Sequence, residues 1–136
     1  MTISRYDHTA VPIRDVNAML AFYRSLGFRL ERLELEGYVF WSAQAGDVKI
    51  NFHAPETWQP GAFQLRAPEA LPGCADICLV WSGTLATLTS FLLGLSIDID
   101  TGPVQRTGAY KGGTAVGQSI YVRDPDRNLL EFIVYN

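Results

Sequence analysis

In SIYVRDPDRNLLEF (119–132), two apolar runs are split by a turn on Asp-Pro-Asp, and the second run, which continues as IVY, carries one carboxylate, Glu131. A carboxylate inside a buried strand is costly unless a cation, a set of hydrogen-bond donors or a metal meets it. The chain has only two histidines, His8 and His53. Alternation of side chains along a strand decides which groups face together. Leu129, Glu131 and Ile133 share one face of the last strand; Leu130, Phe132 and Val134 share the other, which should pack under helices. Tyr6, His8, Ala10 and Pro12 share a face of the first strand. Cys74, Asp76, Cys78 and Val80 do so further on, as do Lys49, Asn51 and His53. Two imidazoles with one or two carboxylates suit a divalent metal: zinc, nickel, cobalt, manganese or iron. Each residue also has a plainer reading. A strand histidine is more often an ordinary hydrogen-bonded side chain, Asp76 faces solvent or caps a turn, and Glu131 pairs with Arg106 or Arg123.

The elements that must position these groups repeat. ISRYDHTAVPI (3–13) reads as a strand. Asp15 caps a helix with Val16, Met19, Leu20, Tyr23 and Leu26 at helical spacing, ended by Gly27. Strands follow at 28–35, 38–44 and 48–54, the last two joined by Ala-Gly-Asp. The order βαβββ then returns: a strand at 74–82, a helix capped by Thr84, a short strand at 96–102, and a hairpin of 117–124 with 128–135. Internal repetition on this scale is stronger evidence than any single strand. The modules are expected at about 1–54 and 74–136, in a single domain of 1–136. The connector, 55–73, is rich in proline and glycine. Its Trp58 and Phe63 either fold back over a cavity or pack on the outside of the sheet. TGAYKGGTAVG (107–117) has the composition of a mobile lid and lacks a phosphate-loop pattern.

With 136 residues, 48% hydrophobic and 18% charged, the chain suits one compact domain with a real core. Net charge is −3 and no basic stretch is dense, which argues against nucleic acid. No apolar run approaches the ~18–20 residues that span a bilayer, and the first residues lack a signal core. Cys74 and Cys78 lie too far apart along one strand for a disulfide. A cytoplasmic protein with reduced thiols and no membrane partner is expected.

YDHTAVPIRDVNAMLAFYRSLGF resembles the opening strand and helix of the vicinal oxygen chelate superfamily, and the closing segment resembles its D-P-D-x-N-x-x-E signature. That superfamily includes glyoxalase I, extradiol dioxygenases, fosfomycin-resistance proteins and bleomycin-binding proteins. KINFH, GCADICLV and GPVQRTGAYKGG are most similar to small stand-alone glyoxalase-domain proteins. The resemblance covers essentially the whole chain. It implies an α+β fold, two βαβββ modules forming an incompletely closed eight-stranded barrel, in a homodimer with one divalent metal on the concave sheet. His8 matches the first-strand histidine ligand and Glu131 the last-strand glutamate ligand. Asp76 stands where the family usually has another histidine, and Asn51 where glyoxalase I has a carboxylate. The ligand set expected on this basis is His8, His53 and Glu131, with Asp76 as fourth ligand or base.

The chemistry implied is that of a lyase or isomerase acting on a small oxygenated metabolite. The metal holds two adjacent oxygens, and Glu131 or Asp76 removes a proton next to a carbonyl. Tyr6, Trp41, Asn51, Cys78 and Tyr121 are expected to line the site, with Arg106 and Lys111 holding an anionic group. The alternatives are a ring-cleaving dioxygenase and a metal-free drug-binding or resistance protein.

Overall fold

The computed structural model describes residues 2–135, which divide into two compact units, one ending at Cys74 and the other starting at Ala75. The first unit runs β1 (His8–Pro12), α1 (Val16–Ser25), β2 (Arg29–Leu35), β3 (Tyr38–Ala45), β4 (Val48–His53) and a short helix, α2 (Pro55–Trp58). Its sheet has the order β1-β4-β3-β2, with β1 parallel to β4 and the other pairs antiparallel. Asp15 caps α1 by accepting from the Ala18 amide at 3.2 Å, and Gly27, at φ 101°, lets the chain turn into β2. Met19, Leu20 and Tyr23 are buried. Tyr23 packs against Phe28 and Phe52, with centroids 5.4 and 5.0 Å away, so α1 covers the Phe52 face of the sheet. Burying each such side chain stabilises the unit by about 1.5–3 kcal/mol.

The second unit repeats the plan: β5 (Asp76–Val80), α3 (Leu85–Gly94), β6 (Thr101–Thr107), the short helix α4 (Tyr110–Gly113), β7 (Val116–Arg123) and β8 (Leu129–Tyr135). Its order is β5-β8-β7-β6, with β5 parallel to β8. Thr84 and Thr87 form a reciprocal capping box at the start of α3, and Leu88 and Leu92 point into the core. The α+β class and the doubled βαβββ plan are therefore present, as two four-stranded sheets.

The expected elements shift in two places. The first strand begins at His8, and residues 2–7, Tyr6 among them, form no strand. The sixth strand, expected at 96–102, is β6 at Thr101–Thr107. Gly102 and Pro103 disguised it. β6 is an edge strand, where a missing proline N–H is tolerated, and its ladder shifts register between Thr101 and Val104. The glycine-rich 107–117 segment is also less loose than its composition implies. It holds the last residue of β6, all of α4 and the start of β7, and Tyr110 stacks on Tyr135 at 4.5 Å.

The hairpin signature proves structural. Asn128, 1% exposed, donates from Nδ2 to Asp124 Oδ2 at 2.8 Å and from its backbone N–H to Asp124 Oδ1 at 2.9 Å. Its own Oδ1 accepts from the Ala75 amide at 2.9 Å, tying the β7–β8 turn to the entry of β5.

Candidate functional site

On the sheet of the second unit, register places Cys78, Glu131, Tyr121 and Thr101 side by side across β5, β8, β7 and β6. The next row holds Val80, Ile133, Ser119 and Val104. All of these face away from Leu130, Phe132 and Val134, which are buried with Leu88 and Leu92 in the core. Glu131 thus lies on the polar face, as alternation requires.

Its carboxylate has partners. Ser119 Oγ donates to Oε2 at 2.7 Å, and the Tyr121 hydroxyl and Cys78 thiol also donate to it. Partial burial pushes the Glu131 carboxyl up, but those three donors and the nearby Arg106 charge outweigh it and hold it below its ordinary value. Glu131 is therefore a fixed anion. Its neighbours answer in kind. The Tyr121 hydroxyl is raised, chiefly by its hydrogen bond to Glu131. The Cys78 thiol is pushed up to about 12, first by desolvation and then by the charge and hydrogen bond of Glu131. Cys78 is thus a protonated donor at neutral pH.

Beside this row opens a cavity of about 350 Å³, lined by Asp76, Asp100, Thr101, Arg106, Tyr121, Arg123 and Leu129. Arg106 Nε donates to the Tyr121 hydroxyl at 2.9 Å, with its guanidinium carbon 5.6 Å from that ring. Arg123 pairs with Asp100 at 3.3 Å. Lys111 is exposed, at φ 55° within α4, and takes no part in this lining.

On the first unit, His8 aligns with Lys49 and His53 with Pro12. The two imidazoles therefore share a face but stand four residues apart along adjacent strands, roughly 13 Å by strand rise. The expected pairing of His8 with His53 is not brought together, and their environments differ. His8 is exposed and its Nδ1 contacts Asp7 Oδ1 at 2.6 Å. A carboxylate behind a histidine is what orients an imidazole for a metal or a proton. His53 is 6% exposed and ringed edge-on by Phe40 at 5.2 Å and Phe63 at 5.5 Å. Desolvation, then the charge of Arg66, lowers its pKa, so it is a neutral core residue at neutral pH. Sequence alternation placed it correctly on the face, but the rings that enclose it, Phe40 and Phe63, come from another strand and from the connector.

Phe63 answers the question posed by the connector. It packs on Tyr38, Phe40 and His53, while Trp58 Nε1 donates to the Ile13 carbonyl at 2.9 Å and Arg66 lies over the Trp58 ring. Asn51, two residues beyond the partner of His8, lies on the His8 face, and its Oδ1 is buried without a hydrogen-bond partner. Trp41 pairs with Phe52 and shares the face covered by α1, opposite Asn51. Tyr6 is 65% exposed, ahead of β1. Among the described residues, no three His, Cys, Asp or Glu side chains form a metal-binding group. His8 and Glu131 each have a side-chain hydrogen-bond partner, Asn51 offers an unmatched oxygen, and His53 is enclosed by aromatic rings.

Ser119 is a site residue that the sequence did not reveal. Its position opposite Ile133, one row from Glu131, was legible only once the β7–β8 register was known. In the sequence it looked like the ordinary opening of a strand.

No family model matches the chain. It is 36% identical over 138 residues to virulence protein STM3117 of Salmonella typhimurium, covering 99% of this chain and 87% of that one. The crystal structure of that protein superposes with a TM-score of 0.82 at 35% identity over all of both chains. The glyoxalase domain-containing protein RDO1 of Mycosarcoma maydis is 33% identical over 138 residues, covering 99% of this chain and 70% of the relative. A lactoylglutathione lyase from Agrobacterium tumefaciens shares the fold, with a TM-score of 0.70 at 20% identity over 98% of this chain and 95% of the other. Among the described residues no helix is long and apolar enough to cross a membrane. The chain belongs to the glyoxalase-domain family of the vicinal oxygen chelate superfamily.

Proposed function

We propose that the protein is a glyoxalase-type lyase or isomerase acting on a small oxygenated metabolite, with Glu131 as the fixed anion of its site. The observation that carries this reading is the ring of three donors, Ser119, Tyr121 and Cys78, holding an ionised carboxylate on a polar sheet face beside a cavity. The three donors favour the ionised form of Glu131, so the site carries a negative charge at neutral pH beside a cavity that a small molecule can enter.

An anion stabilised in this way takes up a proton poorly, so the proton acceptor is assigned to Asp76, exposed on the cavity wall. Tyr121 and Ser119 keep the Glu131 carboxylate oriented. A divalent metal, when bound, would supply Lewis-acid stabilisation of a developing oxyanion. On the second unit the residue that would hold it is Glu131; on the first unit the corresponding candidate is His8. A homodimer and a cytoplasmic setting belong to the same proposal and follow from the family likeness and the reduced thiols.

The test works with simple carbonyl compounds, whatever the natural substrate. Abstraction of a proton next to a carbonyl exchanges it for deuterium. The protein is incubated in D₂O with glyceraldehyde, pyruvate and the hemithioacetal of methylglyoxal, and C–H loss is followed by NMR. Protein-dependent exchange that is lost in Asp76→Asn and Glu131→Gln supports the reading. Exchange that persists in both variants refutes the assignment. A protein that binds such compounds without exchanging them is a binding protein.

A further inference from the structure

The cavity beside Glu131 carries four charged side chains: Asp76, Asp100, Arg106 and Arg123. They are not equivalent. Arg123 Nε meets Asp100 Oδ2 at 3.3 Å, its NH1 reaches the Arg127 carbonyl, and Asp100 is held below its ordinary value by Thr101 first and Arg123 second. That pair neutralises itself. Arg106 differs: its hydrogen bonds go to neutral oxygens, the Tyr121 hydroxyl at 2.9 Å and the Gln105 carbonyl at 2.9 Å, and its charge acts on nearby Glu131 without a direct ion pair. Those bonds use Nε and one terminal nitrogen and fix the plane of the guanidinium, leaving the second terminal nitrogen with donors to spare on a residue that lines the cavity. Asp76 lines the same cavity and is exposed.

We propose that this cavity recognises a small hydroxylated carboxylate, its anionic end held by Arg106 and its hydroxyl groups by Asp76. The inference rests on the reading of this face as a substrate site and adds the class of substrate. Arg106 is already braced by Tyr121, so it loses little rotamer freedom when an oxyanion arrives. Tyr121 acts as a positioning residue: its hydroxyl accepts from Arg106 while it donates to Glu131, joining the anion receptor to the fixed anion. The cavity of about 350 Å³ admits a chain of several carbons. Leu129 supplies an apolar patch on its wall.

The test is a titration of the isotopically labelled full-length protein by NMR, with three probes: gluconate, its uncharged analogue gluconamide, and hexanoate, which keeps the charge but lacks hydroxyls. Gluconate should shift the amides of Thr101, Arg106 and Tyr121 saturably and bind about tenfold more tightly than either other probe, the scale of one charge-assisted hydrogen bond. Arg106→Gln should abolish the preference for gluconate over gluconamide. Asp76→Asn should abolish the preference over hexanoate. Tyr121→Phe should weaken gluconate several-fold while keeping both preferences, since the charge remains but its brace is lost. Arg106 and Asp76 are exposed, so these two variants are expected to fold, and their spectra report it. Equal binding of all three probes, or an Arg106→Gln variant that still prefers gluconate, overturns the proposal. No saturable gluconate binding does so too. That failure is distinct from persistence of deuterium exchange in Asp76→Asn and Glu131→Gln, which would overturn the catalytic reading alone.

Discussion

Asn128→Ala should be among the most damaging single truncations in the second unit. The side chain is 1% exposed and bridges two places distant in sequence: Nδ2 donates to Asp124 Oδ2 at 2.8 Å, and Oδ1 accepts from the Ala75 amide at 2.9 Å. Truncation removes one of the donors on the buried Asp124 carboxylate and leaves the Ala75 N–H without this acceptor. Stranding a buried polar group costs about 1–3 kcal/mol, and more when the group is charged. The two losses together come to about 2–5 kcal/mol, a large share of the roughly 5–15 kcal/mol available to a domain. Urea denaturation followed by circular dichroism reads this as a lowered midpoint at unchanged slope. The isostere Asn128→Asp separates donor from shape. It keeps the acceptor for Ala75 but sets a second carboxylate against Asp124, so it should be destabilised at neutral pH and recover part of the loss in acid. A cost below about 1 kcal/mol for Asn128→Ala, or no acid recovery of Asn128→Asp, would refute this view of the hairpin.

Other outcomes follow from individual groups. The pKa of His53 is lowered in the folded chain, so the unfolded chain binds its proton first; stability should be full above 6.5 and fall as pH drops from there towards the lower folded value. His53→Gln should flatten that slope, and an unchanged slope would show that another group titrates. The Cys78 thiol, pushed up to about 12 first by desolvation and then by Glu131, should resist iodoacetamide at pH 8 in the parent and alkylate faster in Glu131→Gln, which removes the second of those causes; equal rates would disprove the coupling. A Cβ at Gly108 would collide with the Tyr135 hydroxyl, so Gly108→Ala should cost about 1–3 kcal/mol and disturb the Tyr110–Tyr135 stack, seen as altered ring shifts in NMR.

Much of this fold was legible because its signals were local and repeated. Asp15 and Thr84 cap helices in equivalent places, and the alternation in LLEFIVY sorts Glu131 from Leu130 and Phe132 without any long-range information. β6 was displaced because glycine and proline disguise an edge strand whose ladder slips past them. The site was only half legible, for a different reason. Alternation gives the face of a residue but not its height along the sheet, and height is set by pairing register. His8 and His53 share a face yet differ by four residues once β1 is paired with β4. Trp41 missed by face instead: its pairing with Phe52 puts it on the α1 side. The burial of His53 depended on Phe63, which arrives from a connector whose path no local pattern encodes. Conversely, the DPDRN segment looked like part of the chemistry, and its Asp124 and Asn128 are spent on holding the turn.

In the proposed function Glu131 and His8, and not His53, are the groups that take a bound metal. Equilibrium dialysis against zinc, nickel and manganese, read by elemental analysis, tests this most directly on the parent, His8→Ala, His53→Ala and Glu131→Gln. The expected result is about one metal equivalent per chain in the parent and in His53→Ala, lost in the other two. Undiminished uptake in Glu131→Gln, or loss confined to His53→Ala, would contradict it.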